Sequence, residues 1–362
     1  MSRILLLSSP PMDFQSRRAM QSIERALGNS YTVVARSLGE TSASPTRSIS
    51  IVRELLREPY DLVIVWGTPA LLTAAVAHSG PTVFSFTRFP TLAQIKWLRS
   101  AMDYRDVHLI CPTSTMHRFC IERGVPIERC HLIRPGVEFG RVNRRRDAKL
   151  RLAMGLADQD HALLLAGEST READHLAAIW AGSILQHLDP KCRLLVWGRG
   201  DRVGRLLRFA EQLKQSQMLV VAEQRLGRNI EFEELLPAAD SVLITAKGSV
   251  STLPIAICMA AGLPIVSTVT SEVAELLEDR HTAFMVPRSS PRTIAQRIMD
   301  LQADKNAQWS LADMAKTEAF EYFAHSRFVN QYRTVVSQVL AGEKVSVPQA
   351  APGAGLRFHG LG

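Results

Sequence analysis

Short apolar runs alternate with longer amphipathic stretches along most of this chain, and the alternation stops once and then restarts. In the first half the strand-like runs are Ile4–Leu7, Thr32–Ala35, Leu62–Trp66, Thr82–Phe86 and Val107–Cys111. Helix-like stretches lie between them, at Arg17–Leu27, Ile49–Glu58, Pro69–His78, Leu92–Met102 and Ser114–Arg123. Uninterrupted apolar runs of this length suit strands buried on both faces of a parallel sheet, with helices as the covering layers. Ser114 is a fitting N-cap, and Gly124 followed by Pro126 a fitting stop. The rhythm pauses over residues 141–150, which are charged and follow the Pro135-Gly136 turn, so an interdomain connection is expected there.

The rhythm then resumes. Strands are expected at Ala162–Ala166, Arg193–Trp197, Met218–Ala222, Ser241–Thr245, Pro264–Ser267 and Thr282–Val286. The helices between them include Asp174–His187, Val203–Lys214, Phe232–Ala238, Leu253–Ala261 and Ser271–Glu278. After Pro287 the chain reads as helical, from Pro291 and again from about Trp309 to Leu340. The fold class is therefore α/β, with two doubly wound domains at 1–146 and 147–325. A helix at 326–342 is expected to return to the first domain, and the Pro/Gly/Ala-rich stretch 343–362 reads as a disordered tail.

Composition narrows the function classes. The 362 residues are 46% hydrophobic and 22% charged, which suits a globular chain with two cores of its own. The net charge is +8, and 35 of the 43 basic residues are arginine, whose forked guanidinium fits phosphate and carboxylate oxygens. The arginines are dispersed and not interleaved with aromatics, which argues against a nucleic-acid binder. The one dense run, Arg141 to Arg146, reads as a solvated linker or as a contact for an anionic surface. Five scattered cysteines (Cys111, Cys120, Cys130, Cys192 and Cys258) show neither a Cys-x-x-Cys pair nor zinc spacing, so no metal and no disulfide framework is expected. The N-terminal apolar stretch is too short for a signal peptide, and the Leu253–Val266 run is too short to span a bilayer. A cytoplasmic protein is expected, with peripheral membrane contact left open.

The chemistry concentrates in Ala246-Lys247-Gly248-Ser249-Val250-Ser251-Thr252, between a strand and an apolar helix. Such a loop presents backbone N–H groups at a helix N-terminus, which suits a diphosphate. The bland reading is a helix start capped by Ser251 or Thr252. The residues that follow, Pro254-Ile-Ala-Ile-Cys-Met-Ala-Ala-Gly-Leu-Pro-Ile-Val, resemble the donor-site helix of family 4 glycosyltransferases, with Leu253, Pro254, Met259, Ala260, Gly262, Pro264 and Val266 in register. Ile133-Arg-Pro-Gly-Val-Glu138 is similar to that family's hinge segment, and the stretch from Glu275 to Pro287 to another of its segments.

The resemblance implies the GT-B architecture, two Rossmann-like domains facing across a cleft. It also implies transfer of a sugar from a nucleotide-sugar donor, with retention, to a glycan, lipid or small-molecule acceptor, without a cofactor or metal. The positions that match the donor motif are Gly167, Gly198, Lys247, Gly248, Ser249, Val250, Ser251 and Thr252. Several departures accompany them. The two glutamates of the family pattern are replaced by Ser249 and Ile257, which removes the usual acceptor for the ribose hydroxyls. Glu168 stands at the usual arginine position after the first donor-domain strand, which leaves Arg171 or Arg199 to supply a cation; Glu275 is the surviving carboxylate. On the acceptor side, Ser8 lies in a loop without the usual glycine pair, and Thr87 and Arg88 stand near an expected histidine. His117, His131 and His175 read as structural or solvated. The alternative reading is a catalytically silent relative that binds a nucleotide, a sugar or a partner protein.

Overall fold

The structure is a computed structural model and describes residues 1–40, 44–286 and 290–343. The expected tail beyond residue 343 and the expected turn at Pro287 lie outside the described residues. Two compact units emerge: Met1–Gly136 with the segment that starts at His325, and Val137–Ala324.

The first unit contains β1 (Arg3–Ser8), α1 (Phe14–Leu27), β2 (Thr32–Ser37), α2 (Pro45–Arg57), β3 (Leu62–Trp66), α3 (Thr68–Ala77), β4 (Thr82–Ser85), α4 (Leu92–Met102), β5 (Val107–Cys111), α5 (Ser114–Glu122) and β6 (Cys130–Leu132). The strands form one parallel sheet in the order β2-β1-β3-β4-β5-β6. Leu62 to Trp66 are all buried, the burial expected of a central strand covered on both faces.

The second unit contains α6 (Ala148–Ala153), β7 (His161–Leu165), α7 (His175–Gln186), β8 (Cys192–Val196), α8 (Val203–Gln212), β9 (Leu219–Val221), α9 (Ala222–Leu226), β10 (Ser241–Ile244), α10 (Leu253–Ala260), β11 (Ile265–Thr268), β12 (Phe284–Val286), α11 (Pro291–Ala303) and α12 (Lys305–Tyr322). Its strands are again parallel, in the order β12-β11-β10-β7-β8-β9. All residues of α10 are buried, as a helix that is apolar all round requires.

The last helix, α13 (His325–Ala341), belongs to the first unit. Phe328, Val329, Tyr332, Val335, Val336 and Val339 form one apolar stripe that joins Ile4, Leu6, Ile23 and Trp66 in a core cluster. The Tyr332 hydroxyl lies 3.0 Å from Ser85 Oγ, and Arg333 donates to the Ala26 carbonyl at 2.9 Å.

The chain changes units at Gly136–Val137, ahead of the Arg-rich run. A Cβ on Gly136 would come within 2.7 Å of Phe328 Cβ, so the turn must pass close to α13. Val137 pairs with Ala324 and donates its N–H to the Phe323 carbonyl at 2.7 Å, which holds the two crossing strands of chain together. The arginines beyond are tied into the second unit. Arg146 meets Asp240 at 2.7 Å, and the buried Arg151 meets Asp240 at 3.0 Å and donates to the carbonyls of Ala238, Ala157 and Asp160.

Two expected helices are replaced by 3-10 turns. Phe232–Ala238 winds as a 3-10 segment because Pro237 lacks the N–H that an α-helix needs there, and a Glu231/Glu234 capping box closes its start. Of Ser271–Glu278, only Val273–Glu275 forms a 3-10 turn. The long C-terminal helix is broken between Tyr322 and His325 into α12 and α13.

Candidate functional site

In the second sheet the chain leaves β7 towards β8 on one side and returns to β10 on the other. The loops after β7 and β10 therefore flank a topological switch point at the carboxyl edge, where open α/β sheets bind ligands. The neighbouring loops, after β11 and after β8, continue the same edge. Every expected donor-side residue falls on one of these four loops: Glu275 after β11, Lys247 to Thr252 after β10, Gly167 and Arg171 after β7, and Gly198 and Arg199 after β8.

The loop after β7 is laced to its neighbours. Ser169 is fully buried, its N–H donates to the Arg199 carbonyl at 2.7 Å, and its carbonyl accepts from Arg202 at 3.0 Å. This contact needs glycine at position 200, whose φ is +110° and whose added Cβ would stand 2.4 Å from the Ser169 oxygen. Ser169 Oγ lies 3.0 Å from Nδ1 of the buried His175. Burial holds that imidazole well below its ordinary range, at about 4, so it is neutral near pH 7 and serves packing. Gly167 sits against Pro254, in the first turn of α10, where an added Cβ would be 3.2 Å from the ring.

The loop after β10 is fastened to the same stretch. Lys247 accepts support twice: its N–H donates to the Glu172 carbonyl at 2.9 Å, and its Nζ meets the Asp174 carboxylate at 2.9 Å. Gly248 lies against the Glu172 side chain, with Cγ 3.2 Å from the Cβ it lacks. Thr245 Oγ1 donates to the carbonyls of Ala173 and Asp174, at 2.9 and 3.1 Å. Asp174 has φ of +47°, a left-handed conformation that aspartate tolerates better than most residues. Thr252 is the N-cap of α10, but its side chain makes no capping hydrogen bond. Ser249, Val250 and Ser251 are half-buried.

The candidate cations differ. Arg199 is held by Glu223 at 2.9 Å, donates to the Ile230 carbonyl at 3.1 Å and lies over the Trp197 ring. Arg171 is exposed and has no hydrogen bond or ion pair among the described residues. The structure thus separates two arginines that the sequence left equivalent. No local signal marks Glu223 as the partner, because it arrives from the next βα step. Glu275 is half-buried in its 3-10 turn, and Ile257 is buried inside α10.

In the first unit, Ser8 ends β1 and is buried, with Oγ donating to the Arg36 carbonyl at 3.4 Å. Thr87 is half-buried and Arg88 exposed in the loop after β4. The Asp13 carboxylate accepts the Ser16 N–H at 2.9 Å; burial pushes its pKa up, and the charges of Arg17 and Arg88 oppose that rise. His131 stacks on His108, with ring nitrogens 3.1 Å apart, while His117 donates to the Cys130 carbonyl at 3.0 Å. The cysteines depart from the sequence expectation: Cys111, Cys120 and Cys130 converge, with Cys111 Sγ 3.9 Å from Cys120 Sγ and 3.7 Å from Cys130 Sγ.

Residues 160–304 match the family model described as glycosyl transferases group 1, which covers the switch-point loops and α10. With two six-stranded parallel sheets of this order, the fold is of the GT-B class, and residues 160–304 carry the likeness to glycosyl transferases group 1. It is similar to N-acetyl-alpha-D-glucosaminyl L-malate synthase of Bacillus anthracis, 23% identical over 161 residues, which is 44% of this chain and 41% of that protein. It is also 27% identical over 202 residues to the putative colanic acid biosynthesis glycosyltransferase WcaL of Escherichia coli, covering 54% of this chain and 48% of the relative. The chain thus spans less than half the length of either relative. Among solved structures, HepE of Anabaena in complex with UDP-glucose superposes with a TM-score of 0.77 at 16% identity, over 93% of this chain and 100% of that one. A glycosyltransferase of Rickettsia africae superposes at 0.76 and 14% identity, over 94% and 98%. Among the described residues, no helix is long and apolar enough to cross a membrane.

Proposed function

We propose that the chain transfers a sugar from a nucleotide-sugar donor to an acceptor, with retention, and that the donor diphosphate lies at the N-terminus of α10. The observation that carries this reading is the switch point of the second sheet. There the loops after β7 and β10 are fastened to each other through Lys247, Glu172 and Asp174, while Arg171 keeps its charge free for a ligand. The backbone N–H groups of Gly248 to Thr252 and the helix dipole favour an anion there, and the exposed Arg171 adds a full charge. When the sugar–phosphate bond breaks, negative charge grows on the departing diphosphate, and preorganised donors of this kind lower that barrier. Arg199, held by Glu223, shapes the loop instead of meeting phosphate. The UDP-glucose held by the Anabaena neighbour supports a nucleotide sugar as donor. The acceptor is a glycan, a lipid or a small molecule.

The test is a calorimetric screen of nucleoside diphosphates and nucleotide sugars, followed by assays of donor hydrolysis and transfer. Arg171→Ala should weaken nucleoside diphosphate binding about ten- to a hundredfold, the worth of a hydrogen bond to a charged group, and leave the fold intact. Equal affinity of the variant and the unmodified protein would remove Arg171 from the site. Saturable binding with no turnover across donors and acceptors would instead identify a catalytically silent relative.

A further inference from the structure

The five cysteines fall into two groups. Cys192 and Cys258 are buried in the second unit, whereas Cys111, Cys120 and Cys130 meet in the first. Cys111 closes β5, Cys120 lies in the last turn of α5, and Cys130 opens β6. β5 and β6 are hydrogen-bonded neighbours joined through α5, so a single βαβ step carries all three thiols to one place. Their sulfurs lie within 4.8 Å of one another, and two separations are 3.9 and 3.7 Å. These distances are too long for a disulfide, whose sulfurs stand ~2.0 Å apart. They match the edge of a tetrahedron: sulfurs bound at ~2.3 Å to one zinc ion are ~3.8 Å from each other.

We propose that Cys111, Cys120 and Cys130 form a structural zinc site whose three sulfurs are already assembled, with His117, at the margin of that cluster, moving in as the fourth ligand. His117 precedes Cys120 by one helical turn on α5 and so shares its face. Its Nε2–H donates to the carbonyl of Cys130, which fixes the tautomer and leaves the Nδ1 lone pair for a metal, the way zinc-bound imidazoles are commonly oriented. Zinc suits the site better than a monovalent thiophilic ion. Three thiolates, a neutral imidazole and a divalent ion leave a single negative charge to bury, where a monovalent ion leaves two. On binding, each thiol gives its proton to solvent as its zinc–sulfur bond forms, and no electron moves. The sulfurs sit in an apolar cluster with Met116 and Val125, so no position is left for substrate. His117 is half-buried and marks the side from which the ion enters. The site would pin the end of β5, α5 and the start of β6 to one another, independently of the donor chemistry in the second unit.

The experiment uses the full chain, purified under reducing conditions without chelator. Elemental analysis should find about one zinc per chain, falling to under about a tenth in Cys120→Ser. Cobalt taken up in place of zinc should show sulfur-to-cobalt charge transfer and the visible bands of a tetrahedral ion, and His117→Ala should shift those bands. Should Cys120→Ser fail to fold, the unmodified protein still decides, since a strong chelator should lower its Tm by several degrees. Metal-free protein that gives no cobalt charge transfer overturns the proposal, as does zinc retained in full by Cys120→Ser, or a Tm indifferent to the chelator. A cobalt spectrum unchanged in His117→Ala overturns the assignment of the fourth ligand.

Discussion

The two sheets share a parallel, doubly wound plan, yet their switch points are finished in opposite ways. In the first unit the switch lies between β1 and β3, and the chain fills it with itself. Ser9 donates its N–H to the Trp66 carbonyl at 3.0 Å and its Oγ to the same oxygen at 3.3 Å. Gly67, with φ of +89°, packs so tightly that an added Cβ would stand 2.3 Å from Ser9 Oγ. In the second unit the switch lies between β7 and β10. Hydroxyls brace its loops from beneath: Thr268 Oγ1 donates to the Ala246 carbonyl at 2.6 Å, and Thr245 Oγ1 to Ala173 and Asp174. Arg171 stands exposed at the rim. What distinguishes the second edge is a pair of loops tied to each other through Lys247, Glu172 and Asp174.

This contrast can be broken most forcefully at Arg151, which has no buried arginine counterpart among the described residues of the first unit. Its guanidinium is buried against Asp240 and three carbonyl oxygens. Arg151→Ala should cost about 3–5 kcal/mol, because it leaves a carboxylate and buried carbonyls without their cation. Hydrogen exchange should show the loss in β7 and β10 and spare β1 and β3. A smaller effect is expected from a matched pair of glycines. Gly200→Ala and Gly67→Ala each force a Cβ into backbone or hydroxyl space at positive φ, at a cost of about 1–3 kcal/mol. Only Gly200→Ala should also weaken nucleotide binding, as measured by calorimetry. Equal loss of affinity in both variants would erase the distinction between the two edges.

Acidification should probe His175 more gently. Its folded pKa, about 4, lies below the ordinary 6.5, so the unfolded chain takes up the proton first. The stabilisation is complete above pH 6.5 and drains away as the pH falls towards 4. Tm should therefore drop over that window, and His175→Gln should flatten the drop by about a few degrees. An unchanged profile would show that His175 is not the group responsible. The smallest effect concerns the ribose. With isoleucine at position 257, removal of the 2′-hydroxyl from a bound nucleotide should change affinity by less than about twofold, since no carboxylate there accepts its hydrogen bond. Marked preference for the ribonucleotide would point to another acceptor on the same edge.

The α/β rhythm was legible because strands buried on both faces must be apolar throughout, so Leu62–Trp66 and Ser241–Ile244 stand out against their helices. The helical reading of Phe232–Ala238 followed its apolar spacing, and it failed locally because Pro237 withholds a backbone donor. The Gly/Ser/Thr loop before α10 was visible as a helix start, and its resemblance to a donor-site segment was carried by Leu253, Pro254, Met259 and Gly262. Which arginine is free could not be read from the chain. Both arginines follow a strand of the same sheet, and Glu223 claims Arg199 only after β8 and α9 are in place.

The sequence by itself determined most of the elements, their parallel arrangement and the position of the Gly/Ser/Thr loop before α10. These rest on periodicity, apolar run length and turn residues, all of which act over a few neighbouring positions. Only the tertiary structure decided that Gly200 lets the loop after β8 reach Ser169, that Lys247 is committed to Asp174, and that Cys111, Cys120 and Cys130 share one point. Each of these depends on where separate strands end relative to one another. That placement is set by sheet order and register, and no local window of sequence contains it.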